Sequence, residues 1–248
     1  MSQSSYQRFA HIYDELMQDI PYDEYVNWVM KYAPSNDYPT LIDVGCGTGT
    51  LTLQFHQAGY DVTGIDLSEE MLAVANDRFQ EVGVSIPLFA MSMDQIEGFS
   101  EIDVVTIPID SINYLHEESS VVETLKRIYT ILRDGGQLFF DVHSLYKMDE
   151  IFMDSPFTYD DGNITYIWYT EPADYEHSVY HQMTFFVKDE TTELFERFDE
   201  EHFQRTFPLE TYVEWLTNIG FSKVEITADW HNENPTDESE RIFIRAIK

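Results

Sequence analysis

The stretch from Leu41 to Gly49, LIDVGCGTG, places the strongest constraint on how this chain can fold. It reads as a buried strand that runs into a turn with glycine at alternate positions, Gly45, Gly47 and Gly49. Glycine removes side chains where the backbone must bend and where a ligand can lie directly against it. Residues 50–58 (TLTLQFHQA) predict a helix, so the loop amides would lie at a helix N-terminus. We therefore expect a strand–loop–helix unit with a ligand site at the loop.

The spacing of the glycines and the nearby acids narrow the class of ligand. A dinucleotide fingerprint needs G-x-G-x-x-G, and counting from Gly45 its last position falls on Thr50. Asp43 precedes the glycines, and nothing positive follows them to hold a phosphate. The next predicted strand, residues 60–65, ends in Asp66, which is placed to accept hydrogen bonds from a ribose. These features favour a cationic nucleoside without phosphate.

Three segments resemble the successive motifs of class I S-adenosylmethionine (SAM)-dependent methyltransferases: 41–49 (LIDVGCGTG), 64–68 (GIDLS) and 131–141 (ILRDGGQLFFD). The resemblance covers roughly residues 38–143 and resumes near 208–248. It implies an α/β fold with a Rossmann-like seven-stranded sheet in the order 3-2-1-4-5-7-6, its last strand antiparallel and helices on both faces. It also implies SAM as cofactor and a small-molecule methyl acceptor.

The resemblance assigns the cofactor contacts to the glycine loop and to the ends of the neighbouring strands. Asp66 would hold both ribose hydroxyls, and Met93 would pack against the purine. Ser92 stands where family members often carry an acid that receives the adenine amino group, so either Asp94 or backbone groups would take over that role. The complete predicted set is Tyr13, Asp43, Gly45, Cys46, Gly47, Gly49, Asp66, Leu67, Met71, Ser92, Met93, Asp94 and Asp110.

The N-terminal residues predict two helices, the second from Tyr22 to Tyr32. Residues 5–17 carry an apolar stripe that resembles the helix closing over SAM in small-molecule methyltransferases. In that reading Tyr13 and Tyr6 touch the methionyl end of SAM or the acceptor, whereas in the alternative reading the stripe covers one edge of the sheet. Residues 1–39 are thus predicted to close the cofactor site, ahead of a SAM-binding domain formed by 40–145 and 208–248.

Candidate catalytic residues follow the fourth and fifth predicted strands. The apolar run IDVVTIPI predicts a central parallel strand that delivers Asp110, Asn113 and Tyr114 at its carboxyl end, and His143 follows the fifth strand. Ligands bind at this edge of open α/β sheets. Asp110 and His143 are therefore candidate bases for an acceptor that must lose a proton, although a turn cap and a structural histidine remain open readings. Asn113 and Tyr114 are predicted to contact the acceptor.

A helix between these two strands is predicted to begin at Ser119 or Ser120. It is expected to end at a glycine stop formed by Gly135 and Gly136.

The segment 144–207 differs in composition from the rest of the chain. It holds 15 of the 37 aromatic residues, and 15 acids against four bases. Three runs, Ile164–Thr170, Val179–Val187 and Leu194–Phe207, predict a three-stranded antiparallel sheet. The resemblance agrees, because many small-molecule methyltransferases insert a β-rich cover after the fifth strand, here predicted as residues 146–207.

The aromatic and acidic character of this cover suggests which kind of methyl acceptor it binds. Aromatic rings attract cations, and acids add long-range attraction, so we hypothesise a small, neutral or cationic molecule such as an amine. Tyr166 and Trp168 are predicted to contact it, together with Phe185 or Tyr180. The alternative is that the rings only pack the cover onto the main domain while the acids face water.

Charge and cysteine content exclude several classes of function. The net charge of −32, from 46 acids and 14 bases, argues against binding of nucleic acid. The single cysteine, Cys46, excludes an internal disulfide and fits a reducing, cytoplasmic location. The sequence contains no run of eighteen apolar residues and no signal-peptide pattern, so we expect no membrane segment. No motif with metal-ligand spacing occurs, so no metal is expected.

Two alternatives to a methyltransferase remain. An NAD-binding oxidoreductase is disfavoured by the glycine spacing. A SAM-binding protein that regulates or scaffolds without transferring methyl stays open, since neither candidate base is certain from sequence.

Overall fold

The computed structural model describes residues 20–189, 192–230 and 233–248. Tyr6 and Tyr13 lie outside these residues, so their predicted contacts stay predictions. The helices of the described part are α1 Tyr22–Tyr32, α2 Thr50–Gln57, α3 Glu69–Glu81, α4 Glu118–Ile131, α5 Leu145–Asp149 and α6 Leu209–Ile219. None of them is long and apolar enough to cross a membrane.

The strands fall into two sheets. They are β1 Thr40–Val44, β2 Asp61–Asp66, β3 Leu88–Ala90, β4 Ile102–Ile107, β5 Leu132–His143, β6 Phe157–Asp160, β7 Ile164–Pro172, β8 Ser178–Lys188, β9 Phe195–Arg205, β10 Lys223–Ala228 and β11 Arg241–Ile247.

The main sheet has seven strands in the order β3-β2-β1-β4-β5-β11-β10. Strands β1 to β5 are parallel, and β11 runs antiparallel to both β5 and β10. Counted within this sheet, the order is 3-2-1-4-5-7-6, which confirms the predicted fold. The continuous apolar run of β4 is explained by its central position, since five of its six residues are buried between two helical layers.

Helix α1 was predicted with its correct bounds and covers one face of the main sheet. Tyr25 and Val29 are fully buried on its inner side. The indole ring of Trp28 packs edge-on against Phe139 and Phe243, with ring centroids 5.0 Å and 5.3 Å away. These aromatic contacts fix α1 on strands β5 and β11.

The predicted glycine stop after α4 is wrong. The helix ends at Ile131, and Leu132 already has the extended backbone of β5. Gly136 lies inside that strand, where a side chain would clash with backbone carbonyls: its Cβ would come within 2.9 Å of the Ile102 oxygen and 3.2 Å of the Asp103 oxygen. Gly136 therefore permits close pairing of β5 with β4 and does not cap the helix.

The second sheet has four strands in the order β6-β7-β8-β9, all antiparallel. We predicted three, and β6 is the addition. Its four residues FTYD are too short and too exposed for a pattern to indicate a strand, and they pair with β7 at Phe157–Trp168. We call β6 to β9 the cover sheet.

The cover sheet is fastened to the carboxyl ends of β4 and β5 by residues at the end of β9. The Asn113 side chain donates from Nδ2 to the carbonyl of Arg205 at 2.8 Å. The Thr206 hydroxyl donates to the carbonyl of His143 at 2.6 Å. Next to these contacts, a space lies between the edge of the main sheet and one face of the cover sheet.

Candidate active site

The glycine loop between β1 and α2 is fastened to the end of β2. Gly45 and Cys46 donate their backbone N–H groups to the carbonyl of Ile65, at 2.7 Å and 3.0 Å. Gly47 N donates to Asp66 Oδ2 at 2.8 Å. The glycine loop and Asp66, which were identified separately in the sequence, thus form one structural unit.

The glycines of this loop serve two purposes. A Cβ on Gly45 would lie 2.8 Å from the Ser111 side chain, and one on Gly49 would lie 2.8 Å from the Phe79 ring, so both positions are glycine because of close packing. A Cβ on Gly47 would meet nothing within 4 Å, although its φ of +53° is a conformation that other residues rarely adopt. Gly47 therefore leaves an open backbone surface on which a ligand can lie.

Asp66 keeps acceptor capacity for a ligand. Its Oδ2 accepts from Gly47 N, and its Oδ1 accepts from Ser68 N at 2.9 Å. A carboxylate offers about four acceptor positions, so at least one remains for a ligand beyond the backbone N–H groups of Gly47, Leu67 and Ser68. Burial raises the pKa of Asp66, and the backbone N–H groups of Ser68 and Gly47 oppose this only in part. Beside it, Leu67 is 73% exposed and offers an apolar surface.

Asp43 does not reach the ligand surface, which corrects its predicted direct contact. The side chain is fully buried and accepts hydrogen bonds from the hydroxyls of Thr52 (2.6 Å) and Thr106 (2.9 Å). Burial raises its pKa to about 6, and the two hydroxyls act in the opposite sense. Asp43 supports the loop from beneath. Cys46 is also buried, and burial raises the pKa of its thiol, so it is not poised as a nucleophile.

The predicted adenine end lies beside Asp66. Ala90, the last residue of β3, pairs with Asp66, and the Ser92 hydroxyl just beyond it donates to Asp94 Oδ1 at 2.5 Å. Ser92 and Asp94 therefore form one polar group where a single acid was expected. Met93 is partly buried against the main apolar core. Met71 N donates to the Ser68 hydroxyl at 3.2 Å, which caps α3.

A cavity of about 330 Å³ lies between the carboxyl edge of the main sheet and the cover sheet. It brings together the predicted residues Asp110, Tyr114, His143, Tyr166, Trp168 and Phe185. Tyr180 does not line it and is 42% exposed on the cover sheet. Asn113 is fully buried, with both amide ends engaged by backbone groups, so it positions the walls and does not contact an acceptor as predicted.

Asp110 is the centre of a buried polar network in this cavity. Its Oδ1 accepts from Arg241 Nη2 and its Oδ2 from Gln204 Nε2, both at 2.7 Å, and His143 Nε2 lies 3.3 Å from Oδ2. Burial acts to raise the pKa of Asp110, but the charges of His143 and Arg241 and these hydrogen bonds hold it well below its usual range. Asp110 is therefore an ionised carboxylate.

The backbone around Asp110 is held in an unusual conformation. Ile109 and Asp110 have φ values of +52° and +50°, which non-glycine residues rarely adopt. Asp141 fixes this turn, because its carboxylate accepts from both backbone N–H groups at 2.7 Å and 2.9 Å and also pairs with Arg241. Such conformations persist only where the surroundings enforce them, and they concentrate at functional sites.

The network also determines which nitrogen of His143 carries hydrogen. An ionised carboxylate only accepts hydrogen bonds, so Nε2 of His143 donates to Asp110. In the neutral ring Nδ1 then carries a lone pair, and this buried atom has no hydrogen-bond partner among the described residues. The His143 ring stands perpendicular to Phe152, with centroids 5.2 Å apart. Asp110 and Phe152 thus hold the His143 ring in a fixed orientation, and its predicted role as a base stays a prediction.

The charges of the cavity differ from those of the cover as a whole. Asp110 is the single carboxylate among the described residues that line it, and the positive groups Arg241 and Lys147 line it as well. Lys147 is paired with Glu240 at 2.9 Å. The described acids of segment 144–207 do not line the cavity, so any attraction of a cation by them would act over a longer range, and the cation hypothesis stays a prediction.

Sequence reasoning missed several residues of this cavity, notably Arg241, Gln204 and His181. Arg241 and Gln204 lie 131 and 94 positions from Asp110. The predicted strand order could have identified Arg241, because a final strand antiparallel to the fifth strand must begin beside the end of the fifth strand. The register pairs Arg241 with His143 in this way.

Comparison with known proteins agrees with this geometry. A family model described as a methyltransferase domain matches residues 41–136. A protein of Geobacillus sp. (strain WCH70) named as a methyltransferase is 46% identical over 247 residues, which cover 98% of this chain and 100% of that protein. An S-adenosylmethionine-dependent methyltransferase from Clostridium acetobutylicum ATCC 824 has a solved structure with a TM-score of 0.88 and 28% identity, covering 98% of both chains.

A further relative matches over slightly less than half of the chain. The ubiquinone biosynthesis O-methyltransferase of Bordetella avium (strain 197N) is 32% identical over 117 residues, which are 46% of this chain and 47% of that protein. The fold, the glycine loop with its second acid and the full-length relatives agree with one another. The chain belongs to the class I SAM-dependent methyltransferases.

Proposed function

We propose that this enzyme methylates a small, neutral molecule that binds in the cavity between the main sheet and the cover sheet. His143 and Asp110 both line a cavity of about 330 Å³, which supports this proposal. That volume is in the range of small-molecule sites. A polymer would need an open groove, and the net charge of −32 would repel nucleic acid.

The residues around the glycine loop fit SAM, which supplies an electrophilic methyl group on a sulfonium. Gly47 offers the open backbone surface, and Asp66 offers its remaining acceptor capacity to the ribose hydroxyls. Leu67 provides an exposed apolar surface beside them. The Ser92–Asp94 pair supplies the polar group for the adenine amino group.

The acceptor cavity combines apolar aromatic side chains with a buried carboxylate whose charge is balanced by an arginine. The rings of Phe152, Tyr166, Trp168 and Phe185 line the cavity, and they suit a flat apolar molecule. Asp110 is neutralised by Arg241, so a cationic acceptor would gain little from it. A neutral acceptor fits this balance of charges best. It also fits the name of the partial relative from Bordetella avium, which concerns a small molecule.

His143 gives the cavity a group that can take a proton from the acceptor. Its Nδ1 accepts the proton, and ionised Asp110 stabilises the imidazolium through Nε2. A positioned base contributes about 10²–10⁴-fold to a rate, and alignment of the reactants contributes up to about 7–11 kcal/mol. Arg241 and Asp141 keep Asp110 in place and ionised.

Methyl transfer to a panel of small acceptors tests the proposal. The purified enzyme is incubated with SAM carrying a labelled methyl group and with neutral aromatic compounds bearing hydroxyl, amine or thiol groups. We expect label in at least one low-molecular-weight product with the wild-type enzyme, and strongly reduced labelling with Asp66→Ala at low SAM concentration. Labelling of added protein or RNA in preference to every small acceptor would overturn the proposal.

A further inference from the structure

A second histidine of the cavity, His181 on β8, has its ring orientation fixed by a tryptophan. His181 is 3% exposed and lines the cavity. The indole Nε1 of Trp168 lies 3.1 Å from His181 Nδ1. Because an indole N–H can only donate, Nδ1 of His181 must accept and carries no hydrogen.

The remaining nitrogen of His181 is therefore a hydrogen-bond donor. Burial, followed by the neighbouring charges of His143 and His202, lowers the pKa of His181 to about 4, while Asp110 and Gln204 oppose this in part. The ring is neutral at pH 7, and its one hydrogen lies on Nε2. This atom is fully buried, and apart from the influence of the neighbouring Gln204 side chain on the ring, no described residue makes a hydrogen bond of full geometry to it. A buried donor without a partner is costly, which indicates that a ligand supplies one.

The charged and amide side chains that line the cavity already have partners. Arg241 is held by Asp110 and Asp141, Lys147 by Glu240, and Gln204 donates to Asp110. Nε2–H of His181 is thus available where these donors are not. The His181 ring stands perpendicular to Phe152, with centroids 4.9 Å apart, and His143 packs on the same Phe152 ring.

We propose that His181 positions the methyl acceptor by donating a hydrogen bond from Nε2 to an oxygen, so that the acceptor is a planar hydroxyl compound of the phenol class. The inference rests on the proposed function of the cavity and specifies its substrate class. A hydroxyl oxygen has two lone pairs, so one accepts from His181 while the other remains available, and the hydroxyl hydrogen faces a base at His143 Nδ1. A neutral amine has one lone pair, which the same hydrogen bond would occupy.

Binding of phenol and toluene to the whole protein, measured without SAM, tests this assignment. The two probes have nearly the same shape and differ by the hydroxyl group. We expect phenol to bind the wild-type protein about tenfold more tightly than toluene, a typical contribution of one hydrogen bond to a neutral group. His181→Phe should abolish that advantage, and His181→Gln, which retains an N–H donor, should keep part of it. Equal binding of both probes to the wild type, or an undiminished advantage in His181→Phe, would overturn the inference.

Nitrogen NMR of the imidazole tests the tautomer of His181 on which the assignment depends. We expect Nδ1 of His181 to appear as a non-protonated nitrogen and the ring to stay neutral at pH 5.5. In Trp168→Phe, which lacks the indole N–H, the preference for hydrogen on Nε2 should be lost. A protonated Nδ1 in the wild type contradicts the assignment.

Calorimetry with SAM separates the two proposals. His181→Phe should bind SAM as the wild type does, so loss of the phenol preference with intact SAM binding refers to the acceptor site alone. Absence of SAM binding in the wild type would instead overturn the proposed function, while the phenol–toluene contrast still decides the role of His181.

Discussion

The donor site and the acceptor cavity are built from the chain in different ways. Gly47 of the glycine loop and Asp66 are 19 residues apart and are joined by a hydrogen bond from the loop backbone to the carboxylate. The acceptor network joins Asp110 to Gln204 and Arg241 across 94 and 131 residues, and its contacts are made by side chains. One site thus depends on the local course of the backbone, whereas the other depends on how two sheets are assembled.

This difference indicates which part of the enzyme is general and which is specific. Backbone groups and one acid are enough to hold a constant cofactor, so the donor site requires few particular side chains. The acceptor cavity obtains its properties from the pairing of individual side chains, such as Trp168 with His181 and His143 with Asp110. Substitutions should therefore separate binding of SAM from turnover of the acceptor.

The largest expected effect is on turnover, from His143→Gln. Loss of the base at Nδ1 should lower the rate of methyl transfer about 10²–10⁴-fold, while the affinity for SAM stays near that of the wild type. Single-turnover kinetics with labelled SAM measure the first quantity, and calorimetry measures the second. His116→Gln is a matched control, since His116 is exposed and does not line the cavity. A loss below about threefold would show that His143 is structural.

Gly47→Val should break the donor site without unfolding the protein. The valine side chain would occupy the open surface and strain a φ of +53°, so we expect SAM to bind at least about a hundredfold more weakly. Gly83→Val provides the control, because Gly83 also has positive φ (+73°) and open surroundings but lies at the exposed end of α3. Equal SAM affinity of the two variants, measured by calorimetry, would mean that the loop is only a turn.

Asp66→Ala should weaken SAM binding about ten- to a hundredfold. Loss of a charged acceptor from a partly buried contact costs about 1.5–3 kcal/mol. Thermal unfolding without ligand verifies that the variant is folded, and calorimetry gives the affinity. Unchanged affinity in a folded variant would remove Asp66 from the cofactor site.

Asp43→Asn should act on stability and leave the ligand surfaces intact. The pKa of Asp43 is raised from 3.8 to about 6 in the folded protein, so the fold binds this proton more tightly than the unfolded chain does. Its contribution is complete below pH 3.8 and is lost as the pH rises through about 6. Between pH 4.5 and 7.5 the free energy of unfolding of the wild type should fall by about 2 kcal/mol more than that of Asp43→Asn. Urea unfolding at both pH values measures the difference, and identical pH dependence would contradict the raised pKa.

The smallest expected effect distinguishes the two faces of the cover sheet. Tyr166→Ala removes an aromatic wall of the cavity and should lower kcat/KM for the acceptor about two- to tenfold with SAM affinity unchanged. Tyr180→Ala removes a ring of the same sheet that does not line the cavity and should change kcat/KM less than twofold. Equal effects of both would mean that the cover acts only as a whole.

The contrast between the sites also explains what could be predicted from the sequence. The seven-stranded order and helix α1 were predicted because local motifs and periodicity encode them. Asp43 was misassigned because sequence alone does not show that Thr106, 63 residues away, is its partner. The pairing of His181 with Trp168 was invisible for a related reason, since it requires the register of β7 and β8.

A crystal structure of the complex with S-adenosylhomocysteine would show the donor site and the acceptor cavity in one frame. We predict that Asp66 accepts hydrogen bonds from both ribose hydroxyls and that the sulfur faces the cavity lined by His143, Trp168 and His181. Density for the ligand beyond the reach of Asp66, or a sulfur directed away from this cavity, would contradict the account.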